Sequence, residues 1–306
     1  MTDWHTTTGA KPAAGQGLHM VDPDRTDPES FYDDYGEAEW ERLDRDFFHR
    51  LEWEGTVDAL EADLPPVRER DDPPHVLDVG GGPGRYSSWL AERGYRVTLV
   101  EPSETQRDIA REKLSEHGVA DRVTVRDGDV RDLAFDDDAA AATCCLGGPL
   151  SHVLEADERA TAAAELRRVT APGGPVFVSV MGLLGAVMLT VQYAGRVEEG
   201  VDDVAAMPDL VREADYTADL ARRHGFDPAI FDCHFFRRDE LVDLLDGAGL
   251  AVEDVRALEG VAGLRRRHFD DLDDEARASI RELNDLLRTD ATLADVSPHM
   301  LAVSRA

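Results

Sequence analysis

From position 75 onward the chain alternates short apolar runs with longer amphipathic stretches, the pattern of a parallel sheet with crossover helices. The runs predict strands over 75–79, 96–100, 122–126, 139–146 and 175–181, with helices between them. The helix after the second strand is the best marked. Ser103 with Gln106 forms a capping box, Ile109, Ala110 and Leu114 line one face, and Gly118 ends it. Residues 183–236 break the alternation with an apolar stretch at 183–189 and an acidic helical one at 202–223, and predict an inserted helical cap. The pattern then resumes with a helix over 238–246, a strand over 251–258, a helix presenting Ile280, Leu283 and Leu287 on one face, and a last strand over 299–304.

Upstream of the alternation, Asp27-Pro28-Glu29 reads as an N-cap acid followed by proline at the first helical position. Phe31, Tyr32, Tyr35, Trp40 and Leu43, then Phe47, Phe48, Leu51, Trp53, Val57 and Leu60, predict a helical segment rich in aromatics, closed by Pro65-Pro66 and Pro73-Pro74. The expected organisation is a flexible tail over 1–25, an N-terminal helical lid over 26–64, a core over 65–182, the cap over 183–236, and the rest of the core over 237–306.

Composition narrows the class. The 306 residues hold 64 acids against 33 bases, a formal net charge of −31, with 42% hydrophobic content. That hydrophobic content suffices for a core and excludes a wholly disordered chain. No run reaches the roughly 18 apolar residues of a membrane helix, and the first residues lack a signal-peptide core, so a cytoplasmic protein is expected. Lysine occurs only at Lys11 and Lys113, and the acids are spread along the whole chain, a composition suited to molar salt, where the Debye length falls to about 3 Å. The charge disfavours nucleic acid as a partner. Cys144, Cys145 and Cys233 fit neither a disulfide framework nor a zinc site, and no metal-ligand spacing is evident.

The most informative stretch is Asp78-Val79-Gly80-Gly81-Gly82-Pro83-Gly84-Arg85, a strand running through glycines into a helix. Glycines let a ligand approach the backbone, and the helix N-terminus favours an anionic group. A dinucleotide fingerprint needs a third glycine where Arg85 stands, and Asp78 puts a negative charge where a pyrophosphate would lie. A cationic ligand is better served by that charge.

An acid followed by G-x-G-x-G resembles the first motif of the class I S-adenosylmethionine-dependent methyltransferases. The resemblance continues in Glu101 at the end of the second strand, Gly128-Asp129-Val130 after the third, Leu166 to Gly174 ahead of the fifth, and Phe236 to Leu241 with Ala248-Gly249-Leu250 around a later helix. It implies a Rossmann-like, doubly wound α/β fold whose sheet of seven strands is mostly parallel with an antiparallel last strand. It implies S-adenosylmethionine as cofactor, held by Asp78, Gly80, Gly81, Gly82, Gly84, Glu101, Pro102, Asp129, Val130, Cys145 and Leu146. Glu101 would accept hydrogen bonds from the ribose hydroxyls, and Asp129 and the Val130 amide would meet the adenine. Taken singly, each acid also has a plain structural reading; Glu101, for one, could cap the helix at Ser103.

Two departures bear on the acceptor. The fourth strand opens on Ala139 to Ala142 where the family commonly has Phe-Asp. Its end reads Cys144-Cys145-Leu146-Gly147-Gly148-Pro149, without the Asn/Asp-Pro-Pro-Tyr/Phe of enzymes that methylate adenine or glutamine amides. The resemblance therefore implies a small-molecule acceptor and methyl transfer by in-line displacement. His152 is the best-placed base, and Tyr32 and Tyr35 can reach the reacting end. His234 and Phe235 are further candidates for acceptor contact. Cys144 and Cys145 read as buried small residues, and Arg265-Arg266-Arg267 as a solvated face. The alternatives are a non-catalytic binder of the same cofactor and an NAD(P)-dependent oxidoreductase. The oligomeric state stays open.

Overall fold

The computed structural model describes residues 26–68, 72–193, 204–228, 230–265 and 271–306. The expected tail over 1–25 and the basic run through Arg266 and Arg267 lie outside them.

Strands β1 (His75–Val79), β2 (Arg96–Val100), β3 (Val123–Arg126), β4 (Ala142–Cys145), β5 (Pro175–Met181), β8 (Ala251–Ala257) and β9 (His299–Arg305) form one sheet in the order β3-β2-β1-β4-β5-β9-β8. The pairs among β1 to β5 are parallel, whereas β9 runs antiparallel to both β5 and β8. Central strands covered on both faces need continuous apolar runs, and Val76-Leu77 in β1, Leu99-Val100 in β2 and Val176 to Val180 in β5 supply them. The fourth strand is shorter than its alanine-rich sequence suggested. Asp138 has φ 59° and Ala140 makes only an isolated bridge to Thr170, so pairing begins at Ala142.

Helices α4 (Arg85–Glu92), α5 (Glu104–Glu116), α6 (Ala156–Val169) and α10 (Arg238–Gly247) cover the faces. Leu77, Val178, Leu166 and Phe236 centre one core, and Leu90, Leu99, Leu114 and Phe177 the other. Burying each such side chain contributes about 1.5–3 kcal/mol. The N-terminal helices are α1 (Pro28–Tyr35), α2 (Ala38–Glu41) and α3 (Phe47–Asp63), with a 3-10 turn at Arg42–Asp44. Asp27 caps α1 as the sequence predicts, accepting from the Ser30 amide at 2.9 Å.

The capping box at Ser103 forms only in half. Ser103 Oγ accepts from the Gln106 amide, but the Gln106 side chain donates to the Tyr32 and Gly36 carbonyls at 2.7 and 3.1 Å. It ties α1 to the sheet's carboxyl edge instead of closing its own helix end.

The stretch between β5 and α10 holds α7 (Leu183–Tyr193), α8 (Met207–Glu213) and α9 (Ala218–Arg223). It is not wholly helical, since β6 (Asp215–Tyr216) pairs with β7 (Cys233–His234). It has its own small core around Leu210, Tyr216, Leu220 and Phe235. Helix α11 (Asp274–Leu287) departs from its predicted face: Leu283 and Leu287 are exposed, and Asn284 is the residue turned inward, donating to the Leu258 carbonyl at 2.8 Å. Only Ile280 of the predicted stripe packs inward, against Phe47, Leu51 and Ala262. A short helix, α12 (Ala291–Val296), precedes β9.

Candidate functional site

The strand order reverses between β1 and β4, so the loops after these two strands diverge and leave a crevice at their carboxyl ends, where open α/β sheets take ligands. A cavity of about 290 Å³ occupies it. Gly80, Gly81 and Gly82 form its floor, Glu101, Pro102, Asp129 and Val130 one side, Leu146 and His152 the other, and Tyr32 of α1 the roof.

Backbone geometry explains the glycines. Gly80 has φ +68°, and a Cβ there would stand 2.4 Å from Pro149 Cγ, so any side chain would force the β1 and β4 loops apart. Gly82 has φ +53° with open space where a Cβ would be, its nearest neighbour being Glu39 Cγ at 3.9 Å. The loop thus presents bare backbone to the cavity. Gly84 stands apart as the left-handed N-cap of α4, packed toward Leu99 and Ala110, and does not line the cavity.

Asp78 corrects the sequence reading. It is fully buried beneath the loop, accepts from Ser87 Oγ at 2.7 Å and from the Ser87 amide, and does not line the cavity. Ser87 is in the first turn of α4, so Asp78 acts as a remote cap and counter-charge for that helix. Burial pushes its carboxyl up to about 6. Its Oδ1 has no partner among the described residues.

Glu101 does line the cavity. Its Oε2 accepts from the Gly82 amide and its Oε1 from the Ser103 amide, both at 3.0 Å. Burial pushes the carboxyl up to about 7, against the pull of these two N–H groups. Asp129 is paired with a cation that the sequence reading passed over. Arg131 reaches it through its amide and guanidinium at 2.6–2.8 Å and extends to Glu158 at 2.6 Å, holding Asp129 below the usual carboxylate range.

At the opposite end, Tyr32 Oη lies 3.2 Å from His152 Nε2, and the Phe231 ring stacks on Tyr32 and meets His152 edge-on. Burial pushes His152 down to about 4, so the imidazole is neutral at pH 7, and it pushes the Tyr32 hydroxyl well up. Position 152 is fixed by the 3-10 turn Pro149–His152, whose Ser151 Oγ accepts from the Met181 amide.

Besides Asp78 and Gly84, four further predicted contacts do not reach the cavity. Tyr35 stacks on Phe31, and Cys145 is sealed inside β4, where burial pushes its thiol up to about 12. His234 is clamped between Asp215 and Glu240 at 2.6 and 2.7 Å, and Phe235 belongs to the core of the insert. Cavity residues that the sequence reading missed include Glu39, Arg42, Arg85 and Tyr86. Their one advance signal was the aromatic, charged character of the helices that carry them.

The chain's own residues suit a nucleoside linked to an amino acid: an exposed glycine backbone, a carboxylate at the end of β2 with lone pairs to spare, and an acid and an amide side by side after β3. Residues 76–174 match the family described as a methyltransferase domain. Over these residues the chain resembles the class I S-adenosylmethionine-dependent methyltransferases, and S-adenosylmethionine is the cofactor that the match indicates. Among curated relatives, Methyltransferase GfsG of Streptomyces halstedii is 28% identical over 153 residues, 50% of this chain and 52% of that protein. Aclacinomycin 10-hydroxylase RdmB of Streptomyces purpurascens is 35% identical over 127 residues, 36% of this chain and 31% of that protein. The chain thus spans about half or less of the length of these relatives. A solved S-adenosylmethionine-dependent methyltransferase from Mesorhizobium loti, 19% identical, superposes with a TM-score of 0.53 over 86% of this chain and 100% of that one, showing the shared fold. Among the described residues no helix is long and apolar enough to cross a membrane.

Proposed function

We propose that this protein transfers the methyl group of S-adenosylmethionine to a small-molecule acceptor seated against Tyr32 and His152. The observation that carries the reading is that the glycine loop, Glu101 and the Tyr32–His152 pair line one cavity beneath α1. A roof pinned by Gln106 leaves room for a small molecule and is a poor path for a polymer. The bound cofactor supplies a methyl carbon activated by its sulfonium for in-line displacement.

The protein's part is to hold, align and dehydrate. In this reading Glu101 takes the ribose hydroxyls with the lone pairs left by Gly82 and Ser103, and Asp129 with the Val130 amide faces the adenine. His152, kept neutral by burial, takes up the proton at Nε2 by relay through the Tyr32 hydroxyl, which receives the acceptor's proton as it passes its own to the imidazole. It is a weak base, and a weak base suffices, because an attacking hydroxyl or amine becomes strongly acidic as it is methylated. Tyr32 orients the imidazole and closes the site to water.

Thermal melting in molar salt tests the cofactor half. S-Adenosylhomocysteine should raise the melting temperature and NADH should not, saturation at a hundredfold over Kd stabilising by about 2.7 kcal/mol. Transfer of labelled methyl into the small-molecule fraction of a cell extract tests the rest. One relative is described as a hydroxylase, and a second reading is that the cofactor is held here without methyl transfer. Stabilisation by the ligand with no label transferred would select it.

A further inference from the structure

With Asp78 removed from the cavity, the acid that faces a cationic ligand has to be found elsewhere. Glu39, on α2, lines the cavity directly above Gly82. Its Oε1 accepts from Arg42 Nε at 2.9 Å, and its side chain is only 16% exposed. The charge of Arg42 is already matched, because Nη1 and Nη2 grip both oxygens of buried Glu52 at 2.6 and 3.0 Å. The triad Glu39–Arg42–Glu52 therefore carries a net charge of −1 when all three are ionised.

The groups behind it do not change that balance. His299 approaches Glu52 at 3.8 Å and is itself paired with buried Glu259 at 2.5 Å. Ligand atoms of Glu52, Glu259 and His299 lie within 4.8 Å of one another, but Arg42, Ser297 and the His299 amide already occupy the two carboxylates. Elsewhere on the cavity wall, Arg85 is paired with Asp44 and Arg131 with Asp129. Arg45, next along the chain, is paired with Asp46. Asp27 and Glu29 stand exposed at the mouth. Enclosed negative charge without a matching cation thus sits at Glu101, committed to two backbone amides, and at Glu39.

We propose that Glu39 is the counter-charge for the cationic end of the cofactor, carried by the lid and not by the sheet. This rests on the cofactor site proposed above. The cation is either the α-ammonium or the sulfonium, and both are satisfied by a carboxylate above Gly82. The Arg42–Glu52 grip holds Arg42, and through it the Glu39 carboxylate, in place above the glycine loop.

Calorimetric titration of the full chain in molar salt with three probes tests this. S-Adenosylmethionine has both cations, S-adenosylhomocysteine only the ammonium, and methylthioadenosine neither. Glu39→Gln keeps an oxygen for Arg42 and should weaken S-adenosylmethionine at least about tenfold while leaving methylthioadenosine within twofold. An equal loss for S-adenosylhomocysteine assigns the ammonium; no loss for it assigns the sulfonium. Equal affinities of wild type and variant for S-adenosylmethionine, or an equal loss for all three probes, overturn the proposal. Glu39→Asp draws the charge back by one methylene and should show a smaller loss with the same selectivity. It carries the test if the glutamine variant does not fold, and an unselective effect there overturns the proposal equally. If the wild type binds none of the probes, the cofactor site itself is wrong, an outcome distinct from failure of Glu39.

Discussion

Backbone makes the floor of the cavity and side chains make its roof. The floor runs from Gly80 to Gly82 and along the ends of β2 and β3, within about 50 residues of chain that a single sheet edge brings together. The roof and the wall beside it are assembled from Tyr32, Glu39 and Arg42 at one end of the sequence and His152 far along it, backed by Phe231, with Tyr32 and His152 separated by 120 positions. A floor of backbone has little freedom to vary, since its shape is set by φ angles and by the absence of Cβ atoms. A roof of side chains can change its chemistry without disturbing the sheet. On the reading proposed above, the rigid wall carries the nucleoside of the cofactor, and the adaptable one carries the counter-charge at Glu39 and the contacts to the acceptor.

The harshest way to break the floor is Gly80→Ala. A left-handed φ costs a non-glycine residue about 1–2 kcal/mol, and a methyl group 2.4 Å from the Pro149 ring adds about 1–3 kcal/mol of overpacking. Cofactor affinity should fall about a hundredfold or more, measured by calorimetry with S-adenosylhomocysteine. A loss below threefold would show that the loop yields and that the rigid-floor account is wrong.

The matching cut in the roof is His152→Ala. It removes the one neutral imidazole in the cavity and should lower kcat about a hundredfold, with cofactor affinity changed less than threefold. Tyr32→Phe, which keeps the ring against Phe231 but loses the hydroxyl, should cost about tenfold. If either variant weakens the cofactor as much as Gly80→Ala does, the division between the walls does not hold.

The same division marks what could be read in advance. The glycine spacing and the acids at 101 and 129 are local signals, each tied to the strand end that precedes it. Strands β1, β2 and β5 were legible to the residue because continuous apolar runs have sharp ends. Asp78 was misread because its sequence position beside the glycines does not show the depth to which Ser87, nine residues on, draws it. The pairing of Asp129 with Arg131 was within reach, two residues apart on one turn. The roof was not, because nothing in positions 39, 42 and 52 announces that their side chains join, with Glu39 over Gly82. Helix α11 shows the converse error, an apolar stripe whose inward neighbour proves to be Asn284, selected by an acceptor at Leu258 that only the tertiary fold supplies.

Glu101 offers a subtler test, through pH. Its folded-state value of about 7 lies above the ordinary carboxylate range, so its contribution to the stability of the free protein is fully present below about 4.5 and lost as pH rises through 7. Ligand hydroxyls reverse the preference, since they donate to the ionised form. Affinity for S-adenosylhomocysteine should rise about tenfold between pH 6 and 8 and then level off. In Glu101→Gln the profile should be flat near its lower limit. A rise of the same size in the variant would place the titrating group elsewhere.

The smallest effect is expected at the rim, where floor and solvent meet. Arg131 and Asp129 are 44% and 40% exposed, and a pair so open to water contributes roughly 0–1 kcal/mol. Arg131→Ala should therefore shift the melting temperature little. Its effect on cofactor affinity decides how Asp129 is used. Three N–H groups of Arg131 already bond the carboxylate, which has about four acceptor positions, so a ligand amino group competes for what remains. Removing the arginine frees the carboxylate but also lets it rotate. The two consequences oppose each other, and affinity should stay within about threefold of the wild type. A tenfold loss would mean that Arg131 holds Asp129 in its binding orientation. The exposed rim would then be as rigid a part of the floor as the glycine loop, and the boundary between the two walls would move outward to the surface.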